Sequence, residues 1–309
     1  MEPDDVRPRQ ATRTPGRTPV VLVHGSRTSS TMWRAQVAAL ESDGRRVVAP
    51  DLPGHGRRRG ETFTLDGAVD AVRAVADDVG APVLLVGLSL GGYLGIEVRA
   101  REPGLVAGLV AASCCTVPSS PLRGAWLRAA RRIEASADSG ERLNRWMVDR
   151  TVPAAGRADL AAGGFALDTM AAILEAVGAT DPLGSLARAS SPVWLVNGRF
   201  DHFRLDERRF VEAARAGGAP VRHVVVPGAK HLVSLDRPVA FTRVLLEAAH
   251  LLDADGAGHG GDQGAGVRPG RSQLREPPTS AAELGTTTTS SPSRPSAVGV
   301  IARELPPPR

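Results

Sequence analysis

The chain of 309 residues is 42% hydrophobic and carries a formal net charge of +5 at pH 7, enough apolar material for one large α/β domain with appendages. Its sequence pI of about 10.3 looks like that of a nucleic-acid binder. With one lysine (Lys230), one tyrosine and two cysteines, however, little titrates between about pH 8 and 12, so a small arginine excess inflates the value. The short runs Arg45-Arg46 and Arg57-Arg58-Arg59 lack interleaved aromatics, which excludes a nucleic-acid arm, and no apolar run reaches the roughly 18 residues of a membrane span.

In chain order, residues 1–18 are rich in Pro, Arg and Thr and read as a disordered tail. They contain no apolar h-region, so no signal peptide is expected. Val20-Val21-Leu22-Val23 reads as a short buried strand ending in His24-Gly25-Ser26. A polar loop leads to Met32-Trp33 and a helix through Ala35, Val37, Ala38 and Leu40 that closes at Gly44. Arg46–Ala49 is the next strand, followed by Pro50-Asp51-Leu52-Pro53-Gly54-His55-Gly56, dense in turn formers. Leu65, Val69, Val72, Val75, Ala76 and Val79 repeat near a period of 3.6 and predict a helix over 65–79, stopped by Gly80-Ala81-Pro82.

Val83-Leu84-Leu85-Val86 then reads as a buried strand of a parallel sheet, running through Gly87-Leu88-Ser89-Leu90-Gly91-Gly92 into a helix. Such a strand-turn-helix bends sharply enough to hold its apex residue in a strained conformation, and the flanking glycines keep side chains out of the close strand-helix approach. Ser89 is thereby expected at the carboxyl end of the sheet, beside a helix N-terminus whose free N–H groups favour negative charge. The remaining serines considered, Ser26, Ser113 and Ser234, lack that context.

Leu105–Ala112 reads as a further strand, and the adjacent Cys114 and Cys115 as small buried side chains without a mutual disulfide. With no disulfide framework and no leader, the expected location is cytoplasmic. From Thr116 to Asp181 no strand is predicted, only helices near 122–135, 141–148 and 158–177. The strand-helix rhythm returns with Val193–Val196, a helix near 206–216, Val221–Val226 and a final helix over 239–252. The fold class expected is therefore α/β: a mostly parallel sheet with helices on both faces, plus an all-helical cap inserted after the strand that follows the serine turn. The expected domains are core residues 19–115 and 190–252, a cap over 116–189, and a disordered Gly/Pro/Ser/Thr-rich tail over 253–309, whose one apolar patch is Ala297–Ile301.

A serine needs a base within hydrogen-bond reach and a carboxylate to orient that base. The strand Val193–Val196 leads into Asn197-Gly198-Arg199-Phe200-Asp201, and Val221–Val226 leads into Pro227-Gly228-Ala229-Lys230-His231. Each offers one group of the needed type just past a strand end. His202 is a competing base, although neighbours in sequence do not readily turn both side chains to one serine. Asp206 is a competing acid but reads as a helix start. His24 and His55 belong to turn motifs and read as structural; His223, His250 and His259 read as bystanders.

With His24-Gly25, Asp51-x-Pro53-Gly54-x-Gly56, Gly87-x-Ser89-x-Gly91-Gly92, Gly198-x-x-Asp201 and Gly228-x-x-His231 in this order, the chain resembles the α/β-hydrolase superfamily over residues 19–252. The resemblance implies Ser89 as nucleophile, His231 as general base and then acid, and Asp201 as the orienting carboxylate. It further implies an oxyanion hole from the backbone N–H groups of Ser26 and Leu90, and the insert as the lid over the site. A serine at the turn, not an aspartate, departs from the dehalogenase and epoxide hydrolase branches. Met32, Trp33, Trp126, Trp146, Phe200 and Phe203 are expected around an apolar pocket. The expected activity is hydrolysis of a small-to-medium apolar carboxylic ester, with no cofactor and no metal, because no His/Cys/Asp cluster has ligand spacing. The alternatives are the same triad acting on a thioester, lactone or carbon–carbon bond, perhydrolysis or acyl transfer, and a non-enzymatic ligand sensor on the same frame.

Overall fold

The computed structural model describes residues 16–80, 82–118 and 123–260. Six strands form one sheet: β1 (Val20–Val23), β2 (Val47–Val48), β3 (Val83–Leu88), β4 (Val106–Ala112), β5 (Val193–Gly198) and β6 (Val221–Val226). Their order is β2-β1-β3-β4-β5-β6, and every pairing is parallel. Register is fixed by alternation. Val20 pairs with Leu84 and Val23 with Gly87, so Val20, Leu22, Leu84 and Val86 face one apolar layer while Val21, Val23, Val83 and Leu85 face the other. A slip of one residue would exchange the two layers.

Helices cover both faces. Along the chain come α1 (Arg34–Ser42), α2 (Leu65–Val79) and α3 (Leu90–Arg101). The α2 helix is bracketed by Thr64, whose side chain accepts from the Gly67 N–H, and by Gly80 in the left-handed conformation. Between β4 and β5 lie only helices: α4 (Arg123–Glu134), α5 (Glu141–Thr151), α6 (Ala154–Ala162), α7 (Met170–Gly178) and α8 (Pro182–Ala187). Then follow α9 (Glu207–Ala216), the single-turn α10 (Val233–Asp236) and α11 (Pro238–Gly260). Phe241 of α11 stacks on Trp33 with ring centroids 6.0 Å apart. Arg99 is fully buried on α3 and donates to the carbonyls of Leu186, Ala189 and Ser191. It thereby ties the end of the insertion to the core without any carboxylate.

The described core reaches past the boundaries expected for both tails, to Thr18 and to Gly260. Thr18 donates from its N–H and its hydroxyl to Asp253 Oδ1, at 2.8 and 2.7 Å. Arg45, its side chain fully buried, adds a bond to Asp253 Oδ2 at 2.7 Å. Residue 18 is thus anchored, and α11 carries Asp253 and runs on to Gly260. Residues 1–15 and 261–309, including the apolar patch at 297–301, lie outside the described residues.

Candidate active site

The crevice lies at the carboxyl ends of the strands, where parallel sheets place their ligands. Ser89 follows β3 directly and has φ 55 and ψ −112, a conformation that sequence alternatives to glycine rarely adopt. Three contacts hold it there. Its N–H donates to Ala112 of β4 at 2.8 Å, and its carbonyl accepts from Gly92 and Tyr93 at 2.9 and 3.1 Å. The turn also leaves no room at Gly91, where a Cβ would stand 2.1 Å from the Val23 carbonyl oxygen.

His231 must travel to meet it. Three strand spacings separate β3 from β6, about 14 Å of sheet, so the loop after β6 folds back across the strand ends. Gly198 permits this, since a Cβ there would lie 2.2 Å from the Lys230 carbonyl oxygen. Ser113, which directly follows β4 and has φ 55, donates its hydroxyl to the His231 carbonyl at 2.7 Å. Asp236 of α10 accepts from the Lys230 N–H at 2.7 Å. The imidazole then lies with Nε2 3.1 Å from Ser89 Oγ and Nδ1 2.9 Å from Asp201 Oδ1.

Asp201 is 5% exposed. Burial alone would raise its pKa, but the hydrogen bond and charge of His231, with the Phe203 N–H at 2.8 Å, bring it below the ordinary carboxylate value. An ionised carboxylate can only accept, so Nδ1 carries the proton and Nε2 presents a lone pair to the serine hydroxyl. Oδ2 of Asp201 is buried without a hydrogen-bond partner, while Oδ1 holds the His231 imidazole and lies 3.9 Å from His202 Nδ1.

Ser26 borders the same cavity. Leu90 is the first residue of α3, so its N–H has no acceptor within the helix. His202 borders the cavity as well, with its ring centroid 5.0 Å from that of His231, but the Ser89 hydroxyl is bonded to His231. Asp201, His202 and His231 bring ligand-type atoms within 4.8 Å of one another. Both ring nitrogens of His231 are already engaged, one with Asp201 and one with Ser89.

The cavity measures about 290 Å³, at the small end of the range for ligand clefts. Part of its wall comes from the insertion: Asn144, Met147, Val148 and Thr151 form one stripe of α5, joined by Val152, Leu160 and Phe165. Of the aromatic and Met residues expected there, Phe200 lines it. Met32 and Trp33 do not, being fully buried in the core against Thr28 and Phe241. Trp146 falls on the opposite side of α5 from residues 144, 147, 148 and 151, as helical geometry requires. It is 61% exposed, and Trp126 of α4 is 66% exposed. Phe203 packs its ring 4.9 Å from that of His231 and donates its N–H to Asp201, flanking the imidazole without lining the cavity. Arg27, Asn144 and Asp236 border the cavity without having been singled out as pocket residues; Arg27 alone carried a local signal, its place directly after His24-Gly25-Ser26.

Residues 20–244 match the family model described as the alpha/beta hydrolase family. A lipase of Mycobacterium tuberculosis, LipV, is 32% identical over 149 residues, which make up 48% of this chain and 51% of the lipase. The chain thus spans about half the length of that relative. A pimeloyl-[acyl-carrier protein] methyl ester esterase of Edwardsiella ictaluri is 29% identical over 258 residues, covering 76% of this chain and 94% of the esterase. Among solved structures, a thermophilic esterase from Thermogutta terrifontis superposes with a TM-score of 0.63 at 24% identity, over 76% of this chain and 90% of that one.

Proposed function

Because this chain belongs to the alpha/beta hydrolase family and is a hydrolase of that fold, we propose that it cleaves small carboxylic esters through an acyl-enzyme on Ser89. The observation that carries this reading is the continuous relay from Ser89 Oγ through both imidazole nitrogens of His231 to Asp201, at 3.1 and 2.9 Å. The esterase and lipase among the relatives support it.

Ser89 Oγ attacks the ester carbonyl while its proton passes to His231 Nε2. The imidazolium so formed is stabilised by Asp201. The tetrahedral oxyanion is held by the N–H groups of Ser26 and Leu90 at the positive end of α3. Collapse breaks the bond to the alcohol, which leaves with the proton from His231. Water, deprotonated by the same nitrogen, then attacks the acyl carbon and releases the acid with Ser89 restored. The apolar wall of Met147, Val148, Leu160 and Phe165 accommodates an alkyl chain of modest length.

The test is hydrolysis of a panel of p-nitrophenyl esters together with labelling by a fluorophosphonate, on the wild type and Ser89→Ala. Loss of the nucleophile is expected to remove labelling and cost about 10⁶ in turnover. Equal labelling of both proteins would remove Ser89 from its assigned role.

A further inference from the structure

Of the polar side chains that line the cavity beside Ser89 and that the ester chemistry does not use, Arg27 and Asn144 have no side-chain hydrogen bond or ion pair among the described residues. Arg27 follows the proposed oxyanion-hole residue Ser26 and sits at φ 60, a positive value that a non-glycine residue adopts only under constraint. The constraint comes from the insertion: the Ala166 N–H donates to the Arg27 carbonyl at 3.2 Å. The guanidinium Nε is enclosed without a hydrogen-bond partner. Burial lowers the Arg27 pKa, and the guanidinium forms no ion pair among the described residues. The arginines of the neighbouring loop are arranged otherwise: Arg57, Arg58 and Arg59 pair with Asp51, Glu61 and Asp168.

Asn144 reaches the same cavity from α5. It is 5% exposed, yet its carboxamide makes no hydrogen bond among the described residues, and Nδ2 offers two donors. Lys230 and Asp236 also border the cavity, as two opposite charges that act on each other. Holding a desolvated, uncompensated guanidinium and an unpaired carboxamide in an apolar cavity is costly unless a ligand completes them. The fork of an arginine and an amide N–H₂ together match a carboxylate.

We propose that Arg27 and Asn144 form a carboxylate-binding subsite, so that the preferred substrates are esters carrying a free carboxylate separated from the scissile carbonyl by a short alkyl chain. The inference rests on the esterase reading above and refines it: the chain of the substrate lies along the apolar wall and its charged end reaches the two polar side chains. The carboxylate belongs either to the acyl part, as in a half-ester of a dicarboxylic acid, or to the alcohol part, as in an acyl ester of a hydroxy acid.

The experiment compares kcat/KM for monoethyl adipate and ethyl hexanoate, which differ in a terminal carboxylate against a methyl, by pH-stat titration. Pentanoyl glycolate against ethyl pentanoate supplies the arm with the charge on the alcohol. Wild type is expected to favour one charged ester over its neutral partner by about 10- to 100-fold, the range for a hydrogen-bonded charge. Arg27→Gln should collapse that ratio towards one. Arg27→Lys should restore part of it, and Asn144→Leu should reduce it. A ratio is read within each variant, so a loss of folded protein does not imitate the effect.

Binding provides a readout that does not require turnover. Calorimetry on Ser89→Ala is expected to show tighter binding of at least one charged ester than of its neutral partner, and Arg27→Gln in the same background should abolish the difference. If neutral esters are hydrolysed but neither charged ester is preferred or bound more tightly, the subsite is refuted while the esterase reading stands. If no ester is turned over and Ser89 takes no fluorophosphonate label, the esterase reading fails; the binding comparison then decides the subsite alone, and equal binding of charged and neutral esters overturns it.

Discussion

The main-chain N–H of Leu52 donates to Nε2 of His24 at 3.0 Å, while Nδ1 of the same ring lies 2.8 Å from the Gly25 carbonyl. One nitrogen accepts and the other donates, so the ring is held as a single neutral tautomer. Protonation would turn Nε2–H against the Leu52 N–H. Burial, followed by the neighbouring His55 at 5.0 Å between ring centroids, accordingly lowers the His24 pKa to about 4. Between about 6.5 and 4 the unfolded chain binds a proton at this position that the folded chain refuses. Stability is therefore complete above about pH 6.5 and declines as pH falls towards 4, by on the order of 3 kcal/mol from this ring. Urea titrations at pH 7.5, 5.5 and 4.5 check it. A midpoint that does not move would contradict the neutral, buried imidazole.

Asp51 adds a second acid step at lower pH. Burial would raise its pKa, but N–H groups of Ser30 and Arg57 hold it down to about 2. Its contribution is present above about pH 3.8 and disappears as pH falls through 2. Asp51→Asn should lower the thermal midpoint at pH 7 and flatten the pH dependence of stability below pH 4, as calorimetry would record.

Asp201→Asn tests the orienting role directly. The Asn side-chain oxygen can still accept the Phe203 N–H, so the fold should persist with an unchanged circular dichroism spectrum. The oxygen cannot at once hold a charged imidazolium, and the tautomer of His231 is no longer enforced. Turnover is expected to fall by about 10⁴, the loss seen when a triad carboxylate is made an amide. A variant retaining more than a tenth of wild-type kcat would show that another group orients the histidine.

Close approach at the elbow predicts a contrast between two glycines. A Cβ at position 91 meets the Val23 carbonyl oxygen at 2.1 Å, whereas one at position 104 meets nothing within 4 Å. Gly91→Ala should cost more than about 3 kcal/mol or prevent folding, and Gly104→Ala should stay within about 0.5 kcal/mol of wild type. Denaturant midpoints of the two variants measure the difference.

The last helix makes a prediction about length. Ending the chain after Leu252 removes Asp253 and leaves the buried Arg45 with Asp43 and the Thr18 carbonyl alone, a loss of about 1–3 kcal/mol for the charged hydrogen bonds removed. Ending it after Gly260 keeps the pair and is expected to keep the stability with it. Melting temperatures of the two truncations separate these cases, and equal values would mean that Asp43 alone compensates Arg45.

The parts of the molecule that could be read from the sequence are those set by local chemistry. The α2 helix falls on residues 65–79 because Thr64 and Gly80 cap an apolar stripe, and β6 falls on 221–226 because turn formers bound it. Ser89, Asp201 and His231 stand where strand ends and glycine turns put them, and the geometry brings them into contact. The pocket was less accessible. Whether Trp146 or Asn144 faces inward depends on the rotation of α5 about its axis, which its surroundings fix and its own composition leaves open. Met32 and Trp33 flank the first loop in sequence, yet Phe241, some two hundred residues on, draws Trp33 into the core. The supporting role of Ser113 carries no motif at all, and Asp253 of α11 finds its partner in Arg45, 208 residues away.

The clasp of Thr18, Arg45 and Asp253 brings the beginning of β1 and the end of the core into direct contact, on the edge of the sheet away from the strand ends that bear Ser89. The ordered chain is thus almost a closed ring. A few residues bridging positions 18 and 253 would complete it, and new ends could then be opened in a surface loop by circular permutation without unthreading a strand. The seam would sit behind the chemistry, so such a rearranged protein should keep its crevice intact.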